Sequence, residues 1–210
     1  MSKAIELYGY AARKNYIPAQ KKLGKIYSLG GDEANEIKSD FEQSAKWYLK
    51  AAKKGDMESQ YEYGYCCYWG SGRVQSFPEA YDWLSLAAEQ GCHKAMFSLG
   101  ELYRNGEGVS KNYRTAAKWY RKSAKAGMTY ASMNIGRLYR EGKGVKKDLA
   151  LADLWISYGC TNGESATHMG YMYEFGITFN QSMEDAVWWY RLSADQGDPN
   201  GQCNLGNLYC

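Results

Sequence analysis

The residues of this chain whose types could do chemistry are six cysteines, two histidines and two glycine-rich turns. Cysteine and histidine at ligand spacing would hold zinc, and suitably placed cysteine pairs would form disulfides. Neither pattern is present. There is no Cys-x-x-Cys, and Cys66 and Cys67 are consecutive, so on a helix they point about 100° apart and do not co-ligate. Cys92 falls in a turn, Cys160 at a helix-packing position, and Cys203 and Cys210 in the last helical stretch. His93 and His168 have no Ser, Cys or carboxylate set that would make a nucleophile with its base. "NGEGV" (105–109) and "EGKGV" (141–145) look like phosphate loops, but they lack the Gly-Lys-Ser/Thr that such a loop needs. The sequon at Asn180, Gln181 and Ser182 is short enough to arise by chance. The expectation is no catalytic residue, no metal, no cofactor, and at most one disulfide.

Composition points the same way. A net charge of +3 on 210 residues is too small to argue for nucleic acid or an anionic membrane. No apolar window approaches the ~18 residues of a membrane span, and "MSKAIELYGYAARKNYIPAQ" lacks the apolar core of a signal peptide. A soluble chain without membrane insertion is expected, its compartment left open with the cytoplasm favoured. The chain is rich in Tyr (20) and Trp (7) and poor in Pro (3), which suits helices carrying aromatic faces.

Those aromatics recur. A glycine preceded by an apolar or aromatic residue and followed by an aromatic three places on falls at Gly24, Gly64, Gly100, Gly136, Gly170 and Gly206. A tryptophan runs in parallel at Trp47, Trp83, Trp119, Trp155 and Trp189, with Leu7 as a degenerate first copy. Each unit of about 36 residues holds two helical patterns. Ala95, Leu99, Leu102 and Tyr103 share one helix face; Ala116, Trp119, Tyr120, Ser123 and Ala124 share another. Gly106 and Gly108 make the turn between them, and Gly127 ends the second helix. Seven residues before each tryptophan stand Asp40, Ser76, Asn112, Asp148 and Ser182, all strong N-cap types. The glycine should permit close helix approach, with the tryptophan filling the groove between neighbouring units.

Copies four and five, "LGELYRNGEGVSKNYRTAAKWYRKSAKAG" and "IGRLYREGKGVKKDLALADLWISYGCTNG", resemble Sel-1-like repeats, a relative of the tetratricopeptide repeat. The copy from Tyr63 is looser, and the copy from Met169 has Thr178 in place of the second turn glycine. The resemblance implies an all-α fold, a right-handed α-solenoid (superhelix) of helix-turn-helix repeats used as a protein–protein interaction scaffold. The expected division is a second helix at 1–18, repeats at 19–58, 59–94, 95–130, 131–164 and 165–200, and the start of another at 201–210. Half-repeats at both ends suggest a segment of a longer repeat protein. A cysteine-rich branch of the family has been associated with β-lactam binding and hydrolysis; only Cys160 matches its cysteine positions, without a mate. That enzyme and an RNA-binding helical repeat are the alternatives to a scaffold binding a protein or peptide, with no nucleic acid.

By analogy with tetratricopeptide solenoids, the concave face should present residues three before, one after, and four and five after each glycine. Around Gly64 these are Tyr61, Tyr65, Tyr68 and Trp69; around Gly100, Phe97, Glu101, Arg104 and Asn105. Around Gly136 they are Met133, Arg137, Arg140 and Glu141; around Gly170, Thr167, Tyr171, Glu174 and Phe175. The expectation is an aromatic strip beside a basic ladder of Arg104, Arg137 and Arg140. Aromatics with arginine are the types enriched at binding hot spots, and arginine grips carboxylates in bidentate fashion. The expected occupant is an extended or helical protein segment with apolar side chains and some acidic character.

Overall fold

The computed structural model describes residues 3–30, 39–159, 163–176 and 181–209. Among them the chain forms twelve α-helices and no strand: α1 (Lys3–Arg13), α2 (Ile17–Leu29), α3 (Phe41–Ala52), α4 (Met57–Trp69), α5 (Phe77–Glu89), α6 (His93–Asn105), α7 (Tyr113–Lys125), α8 (Thr129–Glu141), α9 (Leu149–Gly159), α10 (Gly163–Phe175), α11 (Met183–Asp195) and α12 (Pro199–Asn207). The fold is the all-α helical repeat that the periods imply. Even-numbered helices carry the recurrent glycine and odd-numbered helices the tryptophan, with Leu7 in its place on α1.

The N-cap residues tie each hairpin together. Asp40, Ser76, Asn112 and Asp148 accept from the backbone N–H three residues on, at 2.9, 3.4, 3.0 and 2.9 Å. Each also donates its own N–H back to the carbonyl three residues after the glycine: Asp40 to Tyr27, Ser76 to Cys67, Asn112 to Tyr103, Asp148 to Tyr139. Ser182 does the same to Tyr173, and all five bonds measure 2.8–3.0 Å. One residue thus satisfies the orphan groups at the end of one helix and the start of the next. The second turn glycine has a separate reason. Gly108 takes φ +70°, and a Cβ there would lie 2.6 Å from the backbone carbon of Phe77, at the start of α5; Gly72 meets Phe41 at the start of α3 in the same way. The turn of one hairpin rests on the helix start of the hairpin before. Thr178, which replaces this glycine in the sixth copy, lies outside the described residues.

The packing departs from the sequence reading at the recurrent glycine. The side chain over it belongs to the residue after the tryptophan. A Cβ at Gly24 would lie 2.7 Å from the Tyr48 ring, at Gly64 3.0 Å from Leu84, at Gly100 2.5 Å from Tyr120 and at Gly136 2.7 Å from Ile156; Gly170 meets Tyr190 likewise. The tryptophans lie beside this contact. Trp47, Trp83, Trp119 and Trp155 are half-buried, and Trp83 stands edge-on to Tyr63 at 5.5 Å. Trp189 is fully buried, with Met133, Ile156 and Met169.

The chain divides into two compact units, Met1–Ser123 and Ala124–Cys210. The larger core of the first contains Tyr48, Tyr63, Cys67, Leu84, Leu99 and Leu102, and Ile5, Ala12, Ala19 and Leu23 form a smaller one. The second unit packs α8 on α9, α10 on α11, and α12 on both α10 and α11. No described helix is long and apolar enough to cross a membrane.

Alanine at Gly100 gains about 1 kcal/mol of helix propensity but forces apart a ring that is fully buried and held at its hydroxyl by Glu101. Overpacking of this kind costs about 1–3 kcal/mol, so the clash dominates. Urea unfolding of Gly100→Ala followed by circular dichroism should show a net loss of up to about 2 kcal/mol.

Candidate functional site

Within the first unit, α4 and α6 are the glycine helices of adjacent repeats. Tyr61, Tyr65 and Trp69 are spaced by four on α4, which puts them on one helix face. Phe97, Glu101, Arg104 and Asn105 share a face of α6 for the same reason. Between these faces lies a pocket of about 400 Å³ lined by Tyr65, Tyr68, Trp69, Phe97, Glu101, Arg104 and Asn105, with Leu84 and Ser98. The aromatic wall is continuous. Ring centroids are 6.0 Å apart for Tyr61 and Tyr65, 6.1 Å for Tyr65 and Trp69, and 5.0 Å for Tyr68 and Trp69. Tyr65 and Trp69 are 43% and 59% exposed, so α4 does not need them for its own packing. Tyr68 is fixed, donating its hydroxyl to Glu107 Oε2 at 2.7 Å and standing edge-on to Phe77.

The polar side of the pocket is an arginine paired with a carboxylate. Arg104 Nη2 donates to Glu101 Oε2 at 2.5 Å, and Glu101 Oε1 accepts the Tyr120 hydroxyl. Arg104 Nε is buried and has no acceptor. Asn105 Nδ2 reaches Glu107 Oε2 at 3.2 Å. The arginine's charge is met inside the protein; one of its donors is not.

The other expected positions divide. Tyr171 and Phe175, one and five after Gly170, are exposed and 4.6 Å apart, repeating the arrangement of Tyr65 and Trp69 on α10. Glu174 accepts the Tyr190 hydroxyl at 2.6 Å. Met133 is buried among Ile156, Ala166, Met169 and Trp189, and with Arg137, Arg140 and Glu141 it lines a small pocket of about 60 Å³. The position three before the glycine turns toward neighbouring elements in other copies too. Thr167 bonds to Asp198, the cap of α12, and Lys21 reaches Asp56, the cap of α4, at 3.4 Å. The expected basic ladder is neutralised within each unit: Arg137 pairs with Glu141 at 2.7 Å and Arg140 with Asp153 at 3.3 Å, as Arg104 does with Glu101. Leu84, Ser98 and Glu107 were missed by the sequence reading. Leu84 was signalled by its place directly after Trp83.

No group of three His, Cys, Asp or Glu among the described residues could hold a metal. Cys66, Cys67, Cys92 and Cys203 are free thiols; Cys160 and Cys210 lie outside the described residues. Burial pushes the Cys66 thiol up to about 11 and that of Cys67 to about 12. His93 opens α6, where its carbonyl accepts from Ser123 Oγ at 2.7 Å, and His168 is exposed against Tyr130. Glu62, next to Tyr61, is held above the ordinary glutamate range by burial, with Lys94 and Lys25 opposing and Glu58 adding to the shift.

The Sel1 repeat family model matches residues 1–16, 17–56, 58–92, 93–128, 129–155 and 163–198. Among curated proteins none matches significantly. Among solved structures the chain is similar to a protective antigen of uropathogenic Escherichia coli with an SLR fold, at 34% identity and a TM-score of 0.73, over 98% of this chain and 44% of that one. The chain therefore spans less than half of that protein's length. A Sel1 repeat protein of Oxalobacter formigenes is 31% identical with a TM-score of 0.70, over 93% and 79% of the two chains. An immunity protein of Pseudomonas aeruginosa, at 18% identity and a TM-score of 0.55 over 94% and 75%, shares the fold.

Two outcomes follow from the titratable groups. In native protein at neutral pH, alkylation should label exposed Cys203 well before Cys66 and Cys67, whose thiolates are scarce; mass spectrometry of the digested protein reads the order. For Glu62 the raised folded value means that the charged form costs stability at neutral pH. That cost sets in as pH rises from the unfolded value of about 4.3 through the folded one. Glu62→Gln should therefore be more stable than the parent at pH 7, and urea titrations should show the difference disappearing below about pH 4.3.

Proposed function

The chain belongs to the Sel1 repeat family, and on that premise we propose that it is a non-enzymatic scaffold whose α4–α6 pocket takes a segment of another protein. One observation carries the reading: an apolar pocket whose rim is the exposed Tyr65 and Trp69 and whose polar wall is the Arg104–Glu101 pair. Glu101 already supplies the counter-charge to Arg104, so a backbone carbonyl serves as its acceptor as well as a carboxylate does. The occupant places an apolar side chain between Trp69 and Phe97 and an oxygen on Arg104. RNA would need an unneutralised basic track, and carboxylate partners on Arg104, Arg137 and Arg140 weigh against one. Four free thiols weigh against the disulfide-stapled enzyme branch.

The test is selection of a displayed random-peptide library on the chain, followed by affinities for the triple variant Tyr65→Ala, Trp69→Ala, Arg104→Ala. Selected peptides should share apolar residues beside an acceptor group. The variant should bind them about 30-fold or more weakly, the scale of a hot spot of about 2 kcal/mol, with unchanged helicity. Equal binding by the folded variant would remove this pocket as the site.

A further inference from the structure

The exposed face of α7 breaks a rule that the other odd-numbered helices keep. Each of those contains Asp or Glu, whereas α7 (Tyr113–Lys125) contains neither. On α3, Glu42 pairs with Lys46 one turn on, at 2.6 Å. The same two positions of α7 hold Arg114 and Lys118, and Lys122 follows four residues later. All three are exposed, and at about 40° between successive side chains they share one face. Arg114 stands in the first turn, where the helix dipole disfavours a cation. Like charges four residues apart also weaken a helix. Among the described residues no carboxylate pairs with Arg114, Lys118 or Lys122. The fold does not need them, because α7 packs through buried Ala116, Ala117, Tyr120 and Ser123. Local choices that oppose stability without serving the core mark a functional surface.

We propose that this face of α7 docks an acidic segment of a protein partner, with carboxylates repeated about every 6 Å, the rise of four helical residues. The complementarity is one of charge, and the partner relieves the repulsion between the three cations. Neither a membrane nor a nucleic acid fits as well. On α5, in the same unit, Asp82 holds the position of Lys118 and Glu89 is exposed beside it in sequence register, so an anionic plane across this side meets carboxylates. A single-stranded nucleic acid needs open aromatic faces on which to stack its bases. Tyr120 is buried, and the other two rings of α7 lie under lysines: Lys111 over Tyr113 at 5.2 Å and Lys122 over Trp119 at 4.7 Å. A narrow acidic segment lies along α7 alone. The face shares no residue with the α4–α6 pocket.

The test is fluorescence anisotropy with a labelled peptide of Glu and Ala, its Gln-for-Glu counterpart and an oligouridylate RNA, with phosphatidylserine vesicles read by co-sedimentation. The parent should bind the Glu peptide at least about tenfold more tightly than the Gln peptide, and the difference should shrink as salt screens the charges. Lys118→Glu places a carboxylate four residues from both Arg114 and Lys122. It should therefore melt at or above the parent temperature, yet bind the Glu peptide at least about tenfold more weakly. Lys118→Arg should bind like the parent. So should the variant Tyr65→Ala, Trp69→Ala, Arg104→Ala, whose loss of this peptide would move the acidic segment to the pocket and overturn the proposal. Equal affinity for the two peptides overturns it, as does unchanged binding by Lys118→Glu. Tighter binding of the RNA or the vesicles, lost in Lys118→Glu, assigns the strip to phosphate groups and overturns it too.

Discussion

The structure depends on the approach of two helices to a distance that only glycine allows. At Gly100 the ring of Tyr120 occupies the space of a Cβ, and Tyr48, Leu84, Ile156 and Tyr190 do the same at their own glycines. Once that distance is set, other residues have little choice. Ala45, Ala80, Ala116, Ala152 and Ala186 are buried on the tryptophan helices, where larger side chains would hold the backbones apart. The turns must then be short, and the cap residue must serve both helix ends together, as the bonds of Asp40, Ser76, Asn112, Asp148 and Ser182 show.

Close backbones bring polar groups inside, and the protein bonds them across elements. Ser44 Oγ donates to the Gly24 carbonyl at 2.8 Å, and Gln20 and Gln60 reach the carbonyls of Ala12 and Ala52 at the end of the helix before. Most buried polar groups in folded proteins are bonded, and these bonds also fix the stagger of one helix on the next. The tyrosine knobs extend the same logic to the surface. Their rings fill the glycine sockets while their hydroxyls emerge on the groove side, at Glu101 for Tyr120 and Glu174 for Tyr190. The carboxylate that ends a core contact therefore begins the pocket wall.

Glycines, tryptophans and caps were legible in the sequence because each is nearly invariant in type and strictly placed. The knob was not, because Tyr, Leu and Ile share only bulk, and the neighbouring tryptophan is the louder signal. The pocket was legible where exposure follows from helix geometry alone, as at Tyr65 and Trp69. The position three before the glycine varies from copy to copy: Phe97 lines the pocket, Met133 is buried, and Thr167 bonds to a cap. The arginine partners lay in plain sight: Glu101 and Arg104 are three apart, Arg137 and Glu141 four. A face scored for arginine without its helical neighbours overstates its charge.

The positions one and five after each glycine are those the scaffold leaves unconstrained. They hold Tyr65 and Trp69 on α4, Glu101 and Asn105 on α6, Arg137 and Glu141 on α8, and Tyr171 and Phe175 on α10. Aromatic pairs there are exposed, and the Arg137–Glu141 pair is satisfied along its own helix. Surface chemistry can therefore change from copy to copy with little consequence for stability, because the fold is decided at the glycine and its knob. Glu101 is the exception, since it holds both Tyr120 and Arg104. At that one place the pocket's polar wall is fixed by the same carboxylate that secures the repeat, which holds the Arg104 guanidinium in place.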